Sequence, residues 1–189
     1  MKKLMIAAAI VCAAAMSQAA SINWSVGANT WTRDGGAAPA KSMTVYLINA
    51  SAWSSIETAI KNGTTSFTTA DAGILDVATT AANTKGTVSE KVATPTGDNK
   101  LTAGTPYNFA YLVIDDGKYF ASKTSNAPAY DKADEVYYET QTVTFDGNSF
   151  SSKDGLTGGK WQTAAVPEPT SAMLLLLGMA GLALRRRRA

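Results

Sequence analysis

Tyr107-Asn108-Phe109-Ala110-Tyr111-Leu112-Val113-Ile114-Asp115-Asp116-Gly117-Lys118-Tyr119-Phe120-Ala121-Ser122 is the stretch whose reading decides the fold class. Residues 107–114 are the most hydrophobic run between the two chain ends, and aromatic and β-branched side chains dominate it. Such residues favour a pleated strand, where a branched or flat side chain packs against its cross-strand neighbours. Asp116-Gly117 then supplies the two positive-φ positions of a tight hairpin turn, and Lys118 to Ser122 returns as the second arm. A hairpin over 106–122 is therefore expected, at the centre of a strand-rich domain.

Working outward, Ile22, Trp24 and Val26 alternate with polar neighbours, as do Met43, Val45 and Leu47, and Gln141, Val143 and Phe145 mark one face of residues 136–145. That period of two is the mark of half-buried strands, and residues 87–92 read the same way. Helical spacing appears once clearly: Trp53, Ile56 and Ile60, backed by Ala52 and Ala59, recur over 51–61, with Asn49 or Ser51 as N-cap and Gly63 as the stop. Ile74, Leu75 and Ala78 suggest a second helix over 69–82, while Gly73 and the threonines argue against it. The expected fold is mainly β: a β-sandwich-like domain with one or two inserted helices, flanked by an N-terminal signal helix and a C-terminal transmembrane helix.

Leu101-Thr102-Ala103-Gly104-Thr105-Pro106-Tyr107 resembles the tyrosine corner of fibronectin type III and immunoglobulin-like sandwiches, although that family usually has proline where Ala103 stands. The resemblance implies that the Tyr107 hydroxyl bonds back to the preceding backbone as a structural staple.

Both ends carry targeting patterns. Lys2 and Lys3, an apolar stretch from Leu4 to Ala15, and Ser17-Gln18-Ala19 have the three-part layout of a secretory signal peptide, with cleavage by signal peptidase expected after Ala19. The division expected is 1–19 signal peptide, 20–154 extracytoplasmic domain, 155–165 linker and 166–189 sorting signal. In the last, Pro167-Glu168-Pro169 is followed by uncharged residues 171–184 and by Arg185, Arg186, Arg187 and Arg188. The prolines hold the backbone extended and open to an enzyme cleft. Helical residues 171–184 span only about 21 Å against a hydrocarbon core of roughly 30 Å, a shortfall that snorkelling arginines and local thinning can meet. The arginines act as the stop-transfer element on the cytoplasmic side. These residues resemble the PEP-CTERM family of bacterial sorting signals. The resemblance implies processing by an exosortase that recognises Pro167, Glu168 and Pro169, and a place in the envelope, surface or exopolysaccharide matrix of a Gram-negative-type bacterium.

Composition narrows what the delivered domain does. The chain has no histidine, and its one cysteine, Cys12, lies in the leader. Serine–histidine and cysteine–histidine nucleophiles, disulfides, and histidine-ligated zinc or copper are thereby excluded for the domain. Setting aside both targeting ends leaves 11 Lys and Arg against 14 Asp and Glu, a mildly acidic balance without the basic face that nucleic acid requires. Carboxylates remain: Asp115 and Asp116 in the turn, the cluster Asp131, Asp134 and Glu135, and Asp146 with Asp154. None has the spacing of a calcium loop, so no metal and no cofactor are expected. Trp24 and Trp53 fall on core faces, which leaves Trp31 and Trp161 as the candidates for stacking on sugar rings. The leading expectation is a non-catalytic structural or adhesive envelope component. A carbohydrate-binding module of the exopolysaccharide matrix and a carboxylate-dependent glycan hydrolase are the alternatives.

Overall fold

A computed structural model describes residues 20–28, 31, 41–83, 86–102, 104–127, 140–145 and 155–164. Its centre is the expected hairpin. Strand β5 (Tyr107–Asp115) pairs antiparallel with β6 (Lys118–Ala121) from Asp115↔Lys118 to Leu112↔Ala121. Asp116 and Gly117 take φ values of 48° and 73°, the two left-handed positions that this turn demands.

Around it stand β1 (Ser21–Val26), β2 (Thr44–Asn49), α1 (Trp53–Lys61), β3 (Ile74–Thr79), β4 (Val88–Ala93), β7 (Ser125–Ala127), β8 (Thr140–Phe145) and β9 (Gln162–Thr163). The strands form two open sheets, one ordered β4-β1-β8 and the other β3-β2-β5-β6-β9 with β7 on the end of β5. In the smaller sheet β1 and β8 run parallel, Ser21 opposite Thr140 and Val26 opposite Phe145, so chain segments far apart in sequence close one layer.

One apolar cluster unites both sheets. Ile22, Trp24 and Val26 of β1, with Val143 and Phe145 of β8, meet Val45, Leu47, Phe109, Tyr111, Val113 and Phe120 of the larger sheet. Tyr111 sits in the middle, its ring 5.2 Å from Phe145 and 5.9 Å from Phe120. The other face of the larger sheet is buried too: Tyr46, Ile48, Ala110, Leu112 and Tyr119 pack beneath Ile56 and Ile60 of α1. Strands β2 and β5 thus lose water on both faces: Val45 and Leu47 alternate onto the inter-sheet side as expected, but Tyr46 and Ile48 between them are buried on the α1 side and not turned to solvent.

Helix α1 begins two residues later than expected, at Trp53, with Ala52 at its N-cap and no side-chain cap of its own; Asn49 caps the 3-10 turn that leads into it. Asn49 Oδ1 accepts from the Ser51 N–H at 3.1 Å, a short 3-10 turn over Ala50–Ala52 leads in, and Gly63 leaves the helix at φ 98°. Its docking to the sheet has a polar component, the Tyr119 hydroxyl donating to Glu57 Oε1 at 2.9 Å. Burial, then the hydrogen bond and the negative charge of Glu57, push the Tyr119 phenol from its ordinary 10.0 up to about 12. The fold therefore favours the neutral phenol, and this stabilisation is whole below the ordinary value and fades as pH rises toward the raised one. Thermal melts from about pH 9 to 12 should show the wild type losing stability more steeply than Tyr119→Phe. Parallel curves for the two proteins would rule this linkage out.

Two expectations are corrected. Residues 69–82 do not form a second helix; β3 pairs antiparallel with β2 there, Thr44 opposite Thr79 and Ile48 opposite Ile74. The register slips between Leu47 and Ile48, and the extra residue is Leu75. Leu75 and Ala78 consequently share the sandwich core while Ile74 turns to the α1 side. A β-bulge has placed residues three apart on one face, which imitates helical spacing in the sequence.

Nor is 155–164 a linker. Leu156 N–H donates to Ser122 at 3.2 Å, β9 pairs with β6, and Gly158 and Gly159 adopt φ of 65° and 70° in a tight turn. The glycines that read as looseness supply a defined backbone geometry. The expected signal helix over 1–19 and transmembrane helix over 171–184 lie outside the described residues, as do the prolines and arginines of the sorting signal. No helix among the described residues is long and apolar enough to cross a membrane.

Candidate functional site

The last described segment, 155–164, is firmly held. Thr157, buried, uses its hydroxyl as a surrogate strand: Oγ1 donates to the Ala121 carbonyl at 3.1 Å and accepts from the Ala121 N–H at 3.2 Å. Trp161 then packs edge-on to Trp31 and tilted over Phe120, with ring centroids 6.1 and 5.8 Å apart. Thr163 lies opposite Lys118, and the Ala164 N–H donates to the Gly117 carbonyl at 2.7 Å. Ala164 is itself buried, so the folded domain extends at least to residue 164, which lies beside the β5–β6 turn.

Residues 165–188 match the model of the PEP-CTERM protein-sorting motif. The chain carries a PEP-CTERM sorting signal. The match begins one residue after Ala164, the last buried position among the described residues, and contains Pro167, Glu168, Pro169 and Arg185 to Arg188. A PEP-CTERM signal implies export, sorting to the envelope or surface, and processing by exosortase. The chain has no match among curated proteins and none among solved structures.

The other residues singled out from the sequence are placed as follows. The Thr102 N–H donates to the Tyr107 hydroxyl at 3.0 Å, and the Tyr107 ring packs against Phe109. Trp31 is a correction: expected in an open loop, it is 0% exposed and has no face left for a sugar ring. Gly86 lies flat on its indole, so close that a Cβ there would sit 2.6 Å from Trp31 Cε2. Trp161 is half-buried against the same cluster. The tryptophan pair proposed for stacking is thus a packing pair. Trp24 and Trp53 lie against the two apolar clusters, as their sequence positions suggested.

Asp115, Glu57, Asp71 and Asp76 are engaged in holding the fold together. Asp115, itself buried, meets Lys41 at 2.6 Å beside the turn, and Glu57 bridges Tyr119 and Lys61. Asp71 caps its own loop through the Thr68 N–H and hydroxyl. Asp76 accepts from the Trp24 indole N–H at 2.8 Å and pairs with Lys91 at 3.2 Å. Lys91 also donates to the Val77 carbonyl at 2.7 Å, joining β4 to β3 across the open edge of the sandwich. An open groove of about 770 Å³ runs along that edge, lined by Thr79, Thr87, Ser89 and Lys91. Among the described residues no three acidic side chains converge as a metal site would need. Asp131, Asp134, Glu135, Asp146 and Asp154 lie outside the described residues.

Sequence reasoning missed the Trp24–Asp76–Lys91 link, the role of Thr157, and the buried Asn99, whose side-chain amide bonds the backbone of Thr69, Asp71, Gly73 and Ile74. Each joins residues far apart in the chain, and no local pattern announces it.

Proposed function

We propose that this chain is an exported, exosortase-sorted protein of the cell surface or extracellular matrix whose β-sandwich domain has a non-catalytic, structural or adhesive role. The observation that carries the reading is the PEP-CTERM motif over 165–188, set directly on the end of a folded domain. The domain suits passive work. Asp115, Glu57, Asp71 and Asp76 are tied into ion pairs, caps and sheet-to-helix contacts, and Trp24 and Trp31 are fully buried. Before processing, residues 171–184 hold the chain in the membrane, with the arginines on the cytoplasmic side and the domain outside.

The test is deletion of Pro167 to Pro169. The contacts of the described fold run through Ala164 without residues 167–169, so the melting temperature of the domain should not change. Mass spectrometry of protein recovered from cells should show the C-terminal segment retained where the wild type has lost it. Identical processing of both proteins would remove the sorting half of the proposal, and a large drop in melting temperature would contradict a domain that folds without residues 167–169.

A further inference from the structure

We infer that the sorting enzyme does not read an isolated peptide but also seats against the domain, on the surface formed by the end of the β5–β6 hairpin and the β9 exit. This rests on the sorting function proposed above and adds a docking surface to it. The argument is one of reach. Ala164 is fixed by its bond to the Gly117 carbonyl, and only residues 165 and 166 separate it from Pro167. A chain spans at most ~3.6 Å per residue, so Pro167 lies within about 11 Å of the fold and Pro169 within about 18 Å. A single layer of helix or sheet is itself roughly 10 Å thick. Any cleft whose walls close around these three residues therefore places a wall against the domain.

The surface within reach is defined. Asp116 is exposed at the tip of the turn, Thr163 is exposed on β9 opposite Lys118, and exposed Lys41 pairs with Asp115 just behind. Two lysines stand against two aspartates, a balanced polar mosaic that exerts little net pull on an anionic lipid surface. It fits the polar rim of a protein partner, where rim charges set orientation and encounter rate. The enzyme is accordingly the assigned occupant, ahead of the bilayer.

Full-length chains expressed in the native host supply the test, with processing followed by pulse-chase and intact mass. Thr163→Arg puts bulk on the exit, and Asp116→Asn removes a charge while keeping a residue tolerant of positive φ. Thermal melts of the recovered proteins check that both variants fold. Each should slow processing, Thr163→Arg by about tenfold, the penalty of one lost or clashing interface contact. A 16-residue Gly-Ser insert after Ala164, with a typical span of roughly 22 Å, should make processing indifferent to both substitutions. Folded variants processed at the wild-type rate without the insert would overturn the inference. So would slowed processing that persists with the insert, or a slowing matched by changed sedimentation with anionic vesicles, which would assign the face to lipid. The deletion of Pro167 to Pro169 runs alongside: if that leaves processing intact, the sorting function itself fails, and is seen to fail separately.

Discussion

Replacing Asn99 by alanine should destabilise the domain by about 3 kcal/mol, the cost of stranding two or more buried backbone groups. The Asn99 side chain, itself buried, reaches from the 3-10 turn Gly97–Asn99 into the loop ahead of β3. Its Nδ2 donates to the carbonyls of Thr69, Asp71 and Ile74 at 3.0, 2.8 and 3.0 Å, and its Oδ1 accepts from the Gly73 N–H at 2.7 Å. One amide thus stands in for a strand partner where the loop has none, with donors and acceptor all occupied. Water can reach Thr69 and Asp71 once the amide is gone, since both are exposed, but Gly73 and Ile74 are buried and would lose their partner outright. For a domain of this size the change corresponds to a fall in melting temperature of roughly 10 °C. Asn99→Asp keeps the shape but turns a carboxylate oxygen toward three carbonyls, so its deficit should be at least as large near neutral pH and should shrink as the carboxylate is protonated. Equal melting of wild type and Asn99→Ala would show that the loop carries its own order.

The contrast between Asn99 and the β5–β6 hairpin marks how far the sequence could be read. The turn at Asp116-Gly117 and the cap at Asn49 are decided by neighbours in the chain, so composition and spacing reveal them. The sorting signal is legible for a related reason. Its chemistry lies in one contiguous stretch, prolines then an uncharged run then arginines, and needs no tertiary structure to be recognised. Where distant contacts decide, local reading fails. Asn99 is polar and sits between turn residues, yet its partners lie 25 to 30 positions away. Trp31 stands among small residues and glycines and reads as exposed, but Gly86 and Trp161 enclose it. The helical spacing at Ile74, Leu75 and Ala78 is an effect of a bulge, visible only once β2 is alongside. The glycine-rich stretch from Gly155 looks like a tether until Thr157 is seen to bond both backbone groups of Ala121.

Gly73→Ala is expected to be still more damaging, by about 4 kcal/mol, because two independent penalties meet there. Gly73 holds φ at +84°, where a side chain adds strain of roughly 1–2 kcal/mol. A Cβ on it would also lie 2.2 Å from Ala52 Cβ and 3.3 Å from Ile56 Cδ1. Neither partner can step aside easily. Gly73 is pinned through both backbone groups, its carbonyl accepting from the Asn49 N–H at 2.9 Å and its N–H donating to Asn99. Ala52 belongs to the turn that starts α1, and moving it would lift Ile56 out of the apolar cluster beneath the helix. The two penalties are separable. Ala52→Gly deletes the colliding methyl, so adding it to Gly73→Ala should restore about 2 kcal/mol, the overpacking share, and leave the backbone strain in place. Chemical denaturation of the four proteins of this cycle measures the coupling directly. If the double variant is no more stable than Gly73→Ala alone, the collision with Ala52 is relieved elsewhere, and the requirement for glycine at 73 is one of backbone conformation only.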